Sequence, residues 1–348
     1  MELALYAPGE GYYERVRPIG ARGDFYTSVS VGPLFGELLA FQFARWFSEN
    51  WDAPVSSLEL SAPPLQLIEA GAHDGRLAAD ILSWIREFSP EIFSKLEYWI
   101  VEPSERRRSW QADRLKAFQN VKWTDDLSVL SGINAATYRI IFSNELLDAM
   151  PVHRIGWDKM SKSWFEWGVY WNGEGFGWTR LRNDQQSEIS FPLLVPGLSD
   201  VLFDQFSTEV CPAASRWWGD AANLLCRGKI VAIDYGLLAE EFLVPERSNG
   251  TLRAVFRHHA SSDLLARPGE QDLTAQVNFS ELTIAGESLG LKTEALIAQT
   301  GFLTEISRLT WRNPEGFGDW DANRRRQFQT LTHPEHLGRP FRVLIQSR

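Results

Sequence analysis

Acidic residues stand at or just beyond the ends of short apolar runs in this chain. Glu69 follows Leu65-Gln-Leu-Ile, Glu102 follows Tyr98-Trp-Ile-Val, and Glu145 follows Ile140-Ile-Phe-Ser-Asn. The first run passes into Glu69-Ala-Gly71-Ala-His73-Asp-Gly75-Arg-Leu. Glycine at 71 and 75 would serve two needs of a binding turn: backbone angles that side chains resist, and close approach of a ligand to the main chain. A strand ending in an acid, a glycine-bearing turn and then a helix is the layout of a nucleotide-binding crevice. Alone, two glycines fit an ordinary strand–helix turn equally well. The second acid strengthens the binding reading, because a carboxylate at the next strand end, Glu102, can accept hydrogen bonds from both hydroxyls of a ribose. NAD is the rival ligand. Glu69 argues against it, since a carboxylate repels a pyrophosphate but tolerates a sulfonium and an ammonium group. The chemistry that fits is methyl transfer from S-adenosyl-L-methionine. Expected cofactor contacts are Glu69, Gly71, Ala72, His73 and Gly75 in the loop, with Glu102, Pro103 and Ser104 at the next strand end.

The elements that must position these groups can be read from periodicity. Leu65–Glu69, Tyr98–Val101, Ile140–Phe142, Ile230–Ile233 and Phe341–Ile345 read as buried strands. Arg76–Phe88 reads as a helix, with Leu77, Ile81, Ile85 and Phe88 at helical spacing, and Glu105–Phe118 as a charged one. Leu34, Leu38, Leu39, Phe41, Phe43 and Trp46 lie on a largely apolar helix starting near Gly32-Pro33. Short buried strands separated by helices favour a parallel sheet covered on both faces. From about Trp157 to Ser190 the rhythm breaks. Trp164-Phe-Glu-Trp-Gly-Val-Tyr-Trp-Asn-Gly has no helical period and reads as a small antiparallel β insertion. The resulting division is 1–64, an N-terminal extension completing the cofactor site; 65–156, the first part of the cofactor domain; 157–227, the Trp-rich insertion; and 228–348, the second part of the cofactor domain.

The 348 residues carry a net charge of -10, which argues against general nucleic-acid binding and would attract a basic substrate. Cys211 and Cys226 form no C-x-x-C pair, so neither a disulfide framework nor a cysteine zinc site is expected. His153 and His258-His259 lack a recognisable ligand spacing, so no metal is expected. No run is long and apolar enough to span a bilayer, and the opening Met-Glu-Leu-Ala-Leu-Tyr lacks signal-peptide character; the cytoplasm is the expected location. Arg106-Arg-Arg108 and Arg324-Arg-Arg326 read as solvated helix faces. The 15 tryptophans are expected to pack small sheets and loops.

Several longer motifs carry a specific resemblance. Ala4-Leu-Tyr-Ala-Pro-Gly-Glu-Gly-Tyr-Tyr13, Gly23-Asp-Phe-Tyr-Thr-Ser28, Leu34-Phe-Gly-Glu-Leu-Leu-Ala40 and Ser143-Asn-Glu-Leu-Leu-Asp-Ala-Met-Pro-Val-His153 occur in order. Ile233-Asp-Tyr-Gly236, Gly250-Thr-Leu-Arg-Ala254, Pro268-Gly-Glu-Gln-Asp-Leu-Thr-Ala-Gln-Val-Asn-Phe279 and Gln299-Thr-Gly-Phe-Leu303 follow. Together they resemble the MidA-like family of class I methyltransferases, relatives of the mitochondrial complex I assembly arginine methyltransferase. The resemblance implies an α/β fold: a Rossmann-like seven-stranded sheet with its last strands reversed in order and one antiparallel, an N-terminal helical extension and a small β-rich insertion. It also implies S-adenosyl-L-methionine as cofactor; the acceptor in the mitochondrial branch is an arginine of a respiratory complex I subunit, and a protein arginine is the leading expectation here. Two departures stand out: His73 where the family has the middle glycine of Gly-x-Gly-x-Gly, and Val29-Ser30 where it has Pro-Glu.

Within this frame, Asn144 and Glu145 are expected at the cofactor–acceptor boundary, because a carboxylate accepts paired guanidinium N–H groups in a fixed plane. Asp148 either assists acceptor binding or caps the following turn. Asp234 and Tyr235 end another strand, where Tyr235 shapes the acceptor pocket or simply packs. Asp125 or Asp126, next to Leu127, reaches the adenine amino group or caps the segment starting at Leu127. The resemblance places Asp24 and Thr27 over the cofactor. The expected partner is a protein presenting arginine, bound by a monomer or homodimer. The enzyme alternative is a small-molecule N- or O-methyltransferase. The non-enzyme alternative is a methyltransferase-fold assembly factor with weak turnover, and His73 is the feature behind it.

Overall fold

The computed structural model describes residues 1–15, 27–51, 65–131, 137–182, 184–187, 189–192, 197–256, 259–261 and 263–348. They form two compact units. One comprises Met1–Pro18, Leu147–Trp217 and Gly236–Leu282, and the other Ile19–Leu146, Trp218–Tyr235 and Thr283–Arg348.

The larger unit is built on a seven-stranded sheet: β1 Leu65–Ala70, β2 Leu96–Val101, β3 Val121–Thr124, β4 Arg139–Asn144, β5 Gly228–Leu237, β6 Lys292–Ala298 and β7 Phe341–Ser347. The order is β6-β7-β5-β4-β1-β2-β3. β7 runs antiparallel to both neighbours, and β1–β5 are mutually parallel. This is the expected class I methyltransferase arrangement. β1 and β4 are buried along their whole length, which is why they read as unbroken apolar runs. β3 and β6 were not expected from the sequence. Both are edge strands that bury less, so charged and polar residues interrupt them.

The helix Leu34–Trp51 supplies much of the core. Leu34, Phe35, Leu38, Leu39, Phe43 and Phe47 are fully buried, each such side chain stabilising by about 1.5–3 kcal/mol. It packs against the helices Arg76–Phe88, Gln299–Trp311 and Ala322–Thr332. The Leu34 N–H at its start, which has no helical partner, donates to Gln327 Oε1 at 3.0 Å.

The smaller unit contains the β-rich insertion. Four antiparallel strands lie in the order Phe176–Arg180, Ser163–Trp171, His153–Asp158, Ser207–Val210. Trp157 is buried with Leu202 and Phe206, the packing role expected of the tryptophans. His153 Nδ1 and Ser187 both bond the Glu166 carboxylate, at 2.6 Å from Oε1 for His153 and at 2.7 Å from Oε2 for the Ser187 N–H. This ties the strand Ser163–Trp171 to its neighbour and to the following loop. No helix among the described residues is long and apolar enough to cross a membrane.

Candidate functional site

Parallel pairing brings the carboxyl ends of β1, β2, β4 and β5 to one edge of the sheet. Ala70 is level with Val101 and Ser143, and Asn144 with Ile233. That edge is where ligands bind in open α/β sheets.

The β1 loop takes a left-handed path at three positions: Gly71 (φ +78°), His73 (φ +45°) and Gly75 (φ +80°). A Cβ on Gly71 would lie 2.9 Å from Leu146 Cδ1, and one on Gly75 would lie 3.4 Å from Gln111 Cα. Gly71 is therefore required for both conformation and space, and Gly75 for conformation. His is among the residues that tolerate positive φ best, so the turn keeps its shape with His73 in it. Burial is the main influence holding the His73 imidazole below its usual range; Arg107 and Arg114 act in the same sense, against Asp74 and Glu102. His73 Nδ1 has no hydrogen-bond partner although it is buried.

Glu69 is buried, and its Oε2 accepts from Tyr98 Oη at 2.6 Å. Burial pushes its carboxyl up to about 7, against the Tyr98 bond, with Asp74 adding to the rise. A folded-state value above the unfolded one contributes stability that is fully present below about 4.5 and is lost as pH rises through about 7. The free protein is thus expected to lose on the order of a few kcal/mol of stability between these values. A bound cation near Glu69 would favour the ionised form, so affinity for a cationic ligand should rise over the same interval. Glu69→Gln should flatten both profiles, as measured by thermal melts and calorimetric titrations at pH 5 and 8. Profiles that keep their wild-type slope would remove Glu69 from this role.

Glu102 is held more tightly than its sequence position implied. Oε1 accepts from the Ser104 N–H at 3.0 Å and from Arg107 Nη2 at 2.8 Å; Oε2 accepts from Gln111 Nε2 at 3.2 Å. An ionised carboxylate offers about four lone-pair sites. One site on Oε2 remains for a further donor. Arg107 is buried in this pair, and Arg108 bonds the Glu102 carbonyl and Asp125. The expectation of a solvated basic run fails at both. It holds for Arg106, which is exposed and lies over Trp110. Pro103 is exposed, and the Ser104 side chain caps the helix Glu105–Leu115 by accepting from the Arg107 N–H.

Asp126 accepts from the Ser128 N–H at 2.6 Å and caps the short helix starting at the buried Leu127. The Ser128 bonds hold its carboxyl below the usual range. Asp126 thus makes the capping contact, and Asp125 pairs with Arg108. Thr27 is likewise a cap: its hydroxyl accepts from the Ser30 N–H at 3.1 Å, and Ser30 Oγ accepts from the Thr27 N–H. Asp24 lies outside the described residues, as does His258.

At the end of β4, Asn144 is buried and donates from Nδ2 to Glu145 Oε1 at 3.1 Å, while Asn144 Oδ1 has no hydrogen-bond partner. Glu145 has φ +52°, a left-handed conformation in a non-glycine residue. Strain of this kind persists only where surrounding structure imposes it. Two bonds do so: the Glu145 N–H donates to Ile233 O at 3.0 Å, and the Leu146 N–H donates to Asp234 Oδ2 at 3.2 Å. Asp234 is fully buried and also accepts from the Tyr235 N–H. It positions the turn after β4 from behind. Tyr235 packs against Phe341 in a tilted pair with ring centroids 3.9 Å apart. Asp148 lies in the smaller unit, buried in the turn Leu147–Met150, and its carbonyl accepts from the Ala275 N–H. Its charge, with that of Asp272, helps raise the Tyr13 phenol, for which burial is the main cause.

The larger unit therefore presents a glycine-shaped loop, an acid on each of two adjacent strand ends, and two buried polar atoms without partners, His73 Nδ1 and Asn144 Oδ1. An unpaired buried polar atom costs about 1–3 kcal/mol, which a polar ligand would offset. These features fit an adenosyl cofactor with an amino-acid tail. A family model of S-adenosyl-L-methionine-dependent methyltransferases matches residues 42–297. The chain belongs to that family. A solved superfamily relative from Burkholderia thailandensis, bound to S-adenosyl-homocysteine, covers 100% of this methyltransferase chain and 86% of its own, with TM-score 0.78 and 27% identity. The mitochondrial protein arginine methyltransferase NDUFAF7 of Mus musculus is 28% identical over 81% of this chain and 64% of its own length. That of Danio rerio is 26% identical over 98% of this chain and 80% of its own. The chain spans somewhat under two-thirds of the length of the mouse relative. The Mus musculus and Danio rerio relatives are mitochondrial proteins, which overturns the cytoplasmic placement expected from the sequence.

Proposed function

We propose that this methyltransferase moves the methyl group of S-adenosyl-L-methionine to a guanidinium nitrogen of a protein arginine. The observation that carries the acceptor class is the likeness to the curated arginine methyltransferases. When bound, the cofactor supplies an electrophilic methyl group on sulfonium; the protein's part is alignment. In this reading Glu69, Gly71, Ala72, His73 and Gly75 surround the amino-acid end, with Glu102, Pro103 and Ser104 at the ribose and Asp125, Asp126 and Leu127 toward the adenine. Asn144 and Glu145 stand at the reacting edge. The Glu145 carboxylate would orient the guanidinium in a fixed plane, and its charge suits a basic acceptor. Asp234 and Tyr235 support the acceptor side, and Asp24 and Thr27 the cofactor side. The partner is a protein, and the chain acts as a monomer or homodimer.

Incubation with methyl-labelled cofactor and arginine-containing peptides is the test. Methylarginine after hydrolysis is expected. Label found only in small molecules or other side chains would sink the acceptor class. No calorimetric binding of S-adenosylhomocysteine would sink the cofactor assignment.

The unpartnered Nδ1 favours His73 as a direct cofactor contact over a decayed loop. His73→Gly is expected to weaken S-adenosylhomocysteine binding several-fold, on the scale of one hydrogen bond. It should leave stability unchanged or slightly raised, since φ +45° suits glycine. A large gain in affinity would instead support the weak-turnover reading.

A further inference from the structure

The helix Glu105–Leu115 turns Arg107, Gln111 and Arg114 toward the cofactor loop and the Glu102 strand end. Their spacing of four and three residues places them on one face. Arg107 takes the Glu102 carboxylate, and Arg114 donates from Nε to Asp74 O at 2.9 Å and pairs with the Asp74 carboxylate at 2.7 Å. Gln111, between them, is fully buried. Its Nε2 donates to His73 O at 2.9 Å and to Glu102 Oε2 at 3.2 Å, and its Oε1 accepts from Trp123 Nε1 at 3.0 Å. The amide's orientation is unambiguous. An indole N–H can only donate, and a backbone carbonyl and a carboxylate oxygen only accept, so the amide oxygen must face Trp123 and both amide hydrogens must face the site.

We propose that Gln111 is a positioning residue of the cofactor site, joining the loop carbonyl of His73 to the Glu102 carboxylate so that the loop and the carboxylate are set at a fixed separation. The inference rests on the cofactor reading above. One amide reaches both halves of the binding edge, from β1 and from β2. It occupies one lone-pair site of Oε2 and thereby aims the remaining site. It also holds the peptide between His73 and Asp74, which sits at the left-handed turn. Trp123, on β3, fixes the amide from behind. Three adjacent strand ends are in this way linked through one side chain.

The test is calorimetric binding of S-adenosylhomocysteine to the full chain and to a double-mutant cycle of Gln111→Met and Glu102→Gln. Methionine keeps the buried volume and removes all three hydrogen bonds. Gln111→Met alone is expected to weaken binding about tenfold or more. In the Glu102→Gln background the same change should cost less than about threefold, because the group it aims is no longer a carboxylate. Equal weakening in both backgrounds would assign Gln111 to packing alone and overturn the proposal, as would unchanged affinity in the single variant. Should Gln111→Met fail to fold, Trp123→Phe probes the same linkage from the strand side. It is expected to weaken binding two- to fivefold, and no effect would count against the proposal. Failure of the wild-type chain to bind would instead remove the cofactor reading itself.

Discussion

Glu102→Ala is expected to remove most of the affinity for S-adenosylhomocysteine and to lower stability by about 3–5 kcal/mol. The two losses have different origins. The ribose loses a charge-assisted acceptor, worth about 1.5–3 kcal/mol of binding. The fold loses the counterion of Arg107, whose side chain is 10% exposed in the pair and would be left charged without its carboxylate. A second change separates them. Glu102→Ala with Arg107→Met should recover much of the stability, because replacing both members of a buried pair by apolar groups is often nearly neutral. It should not recover binding. Urea unfolding and calorimetry on the two variants are the measurements. Normal cofactor affinity in either one would refute the ribose assignment.

Replacing Glu145 should reveal a trade between stability and turnover. Glu145→Gln keeps the shape and the strained backbone but removes the charge, and it is expected to slow methyl transfer about ten- to a hundredfold with cofactor binding little changed. Glu145→Gly should be as slow or slower, yet match or exceed the wild type in stability by up to about 1 kcal/mol, because glycine accepts φ +52° without the penalty an L side chain carries. A variant that is more stable and nearly inactive would identify Glu145 as a residue whose side chain, and not its place in the fold, is needed. Equal losses of transfer and cofactor binding would place Glu145 on the cofactor side alone.

Much of the fold was legible because the central strands are buried on both faces. Leu65–Glu69 and Ile140–Phe142 read as strands from their apolar content and lie within the observed Leu65–Ala70 and Arg139–Asn144, and Arg76–Phe88 has the bounds its periodicity implied. Lys292–Ala298 was not legible. As an edge strand with much of its length exposed, it carries no strong pattern, and its pairing with Phe341–Ser347 is a long-range event. Within the helix Ala322–Thr332, only Arg324-Arg-Arg326 was read, as a solvated helix face. Its Gln327 caps the Leu34 helix across almost the whole chain, which no local window records.

The candidate site divides the same way. The acids at the strand ends and the glycines of the Glu69–Gly75 loop were set by sequence, because strand polarity and left-handed φ impose residue types at fixed spacing. Which partner each acid takes was decided only by tertiary structure. Arg107 looked like one of three solvated cations, yet helix packing turns it inward onto Glu102 while its neighbour Arg106 stays outside. Asp234 reads as an acid at a strand end, and the register of β4 beside β5 brings the Leu146 N–H onto its carboxylate. Gln111 carried no signal in the sequence, since an amide in a charged helix is unremarkable until a loop carbonyl, a carboxylate and an indole meet around it. Residue type at a turn is a local property of the backbone. The occupancy of a carboxylate's lone pairs depends on groups brought from distant parts of the chain, and only the folded arrangement determines it.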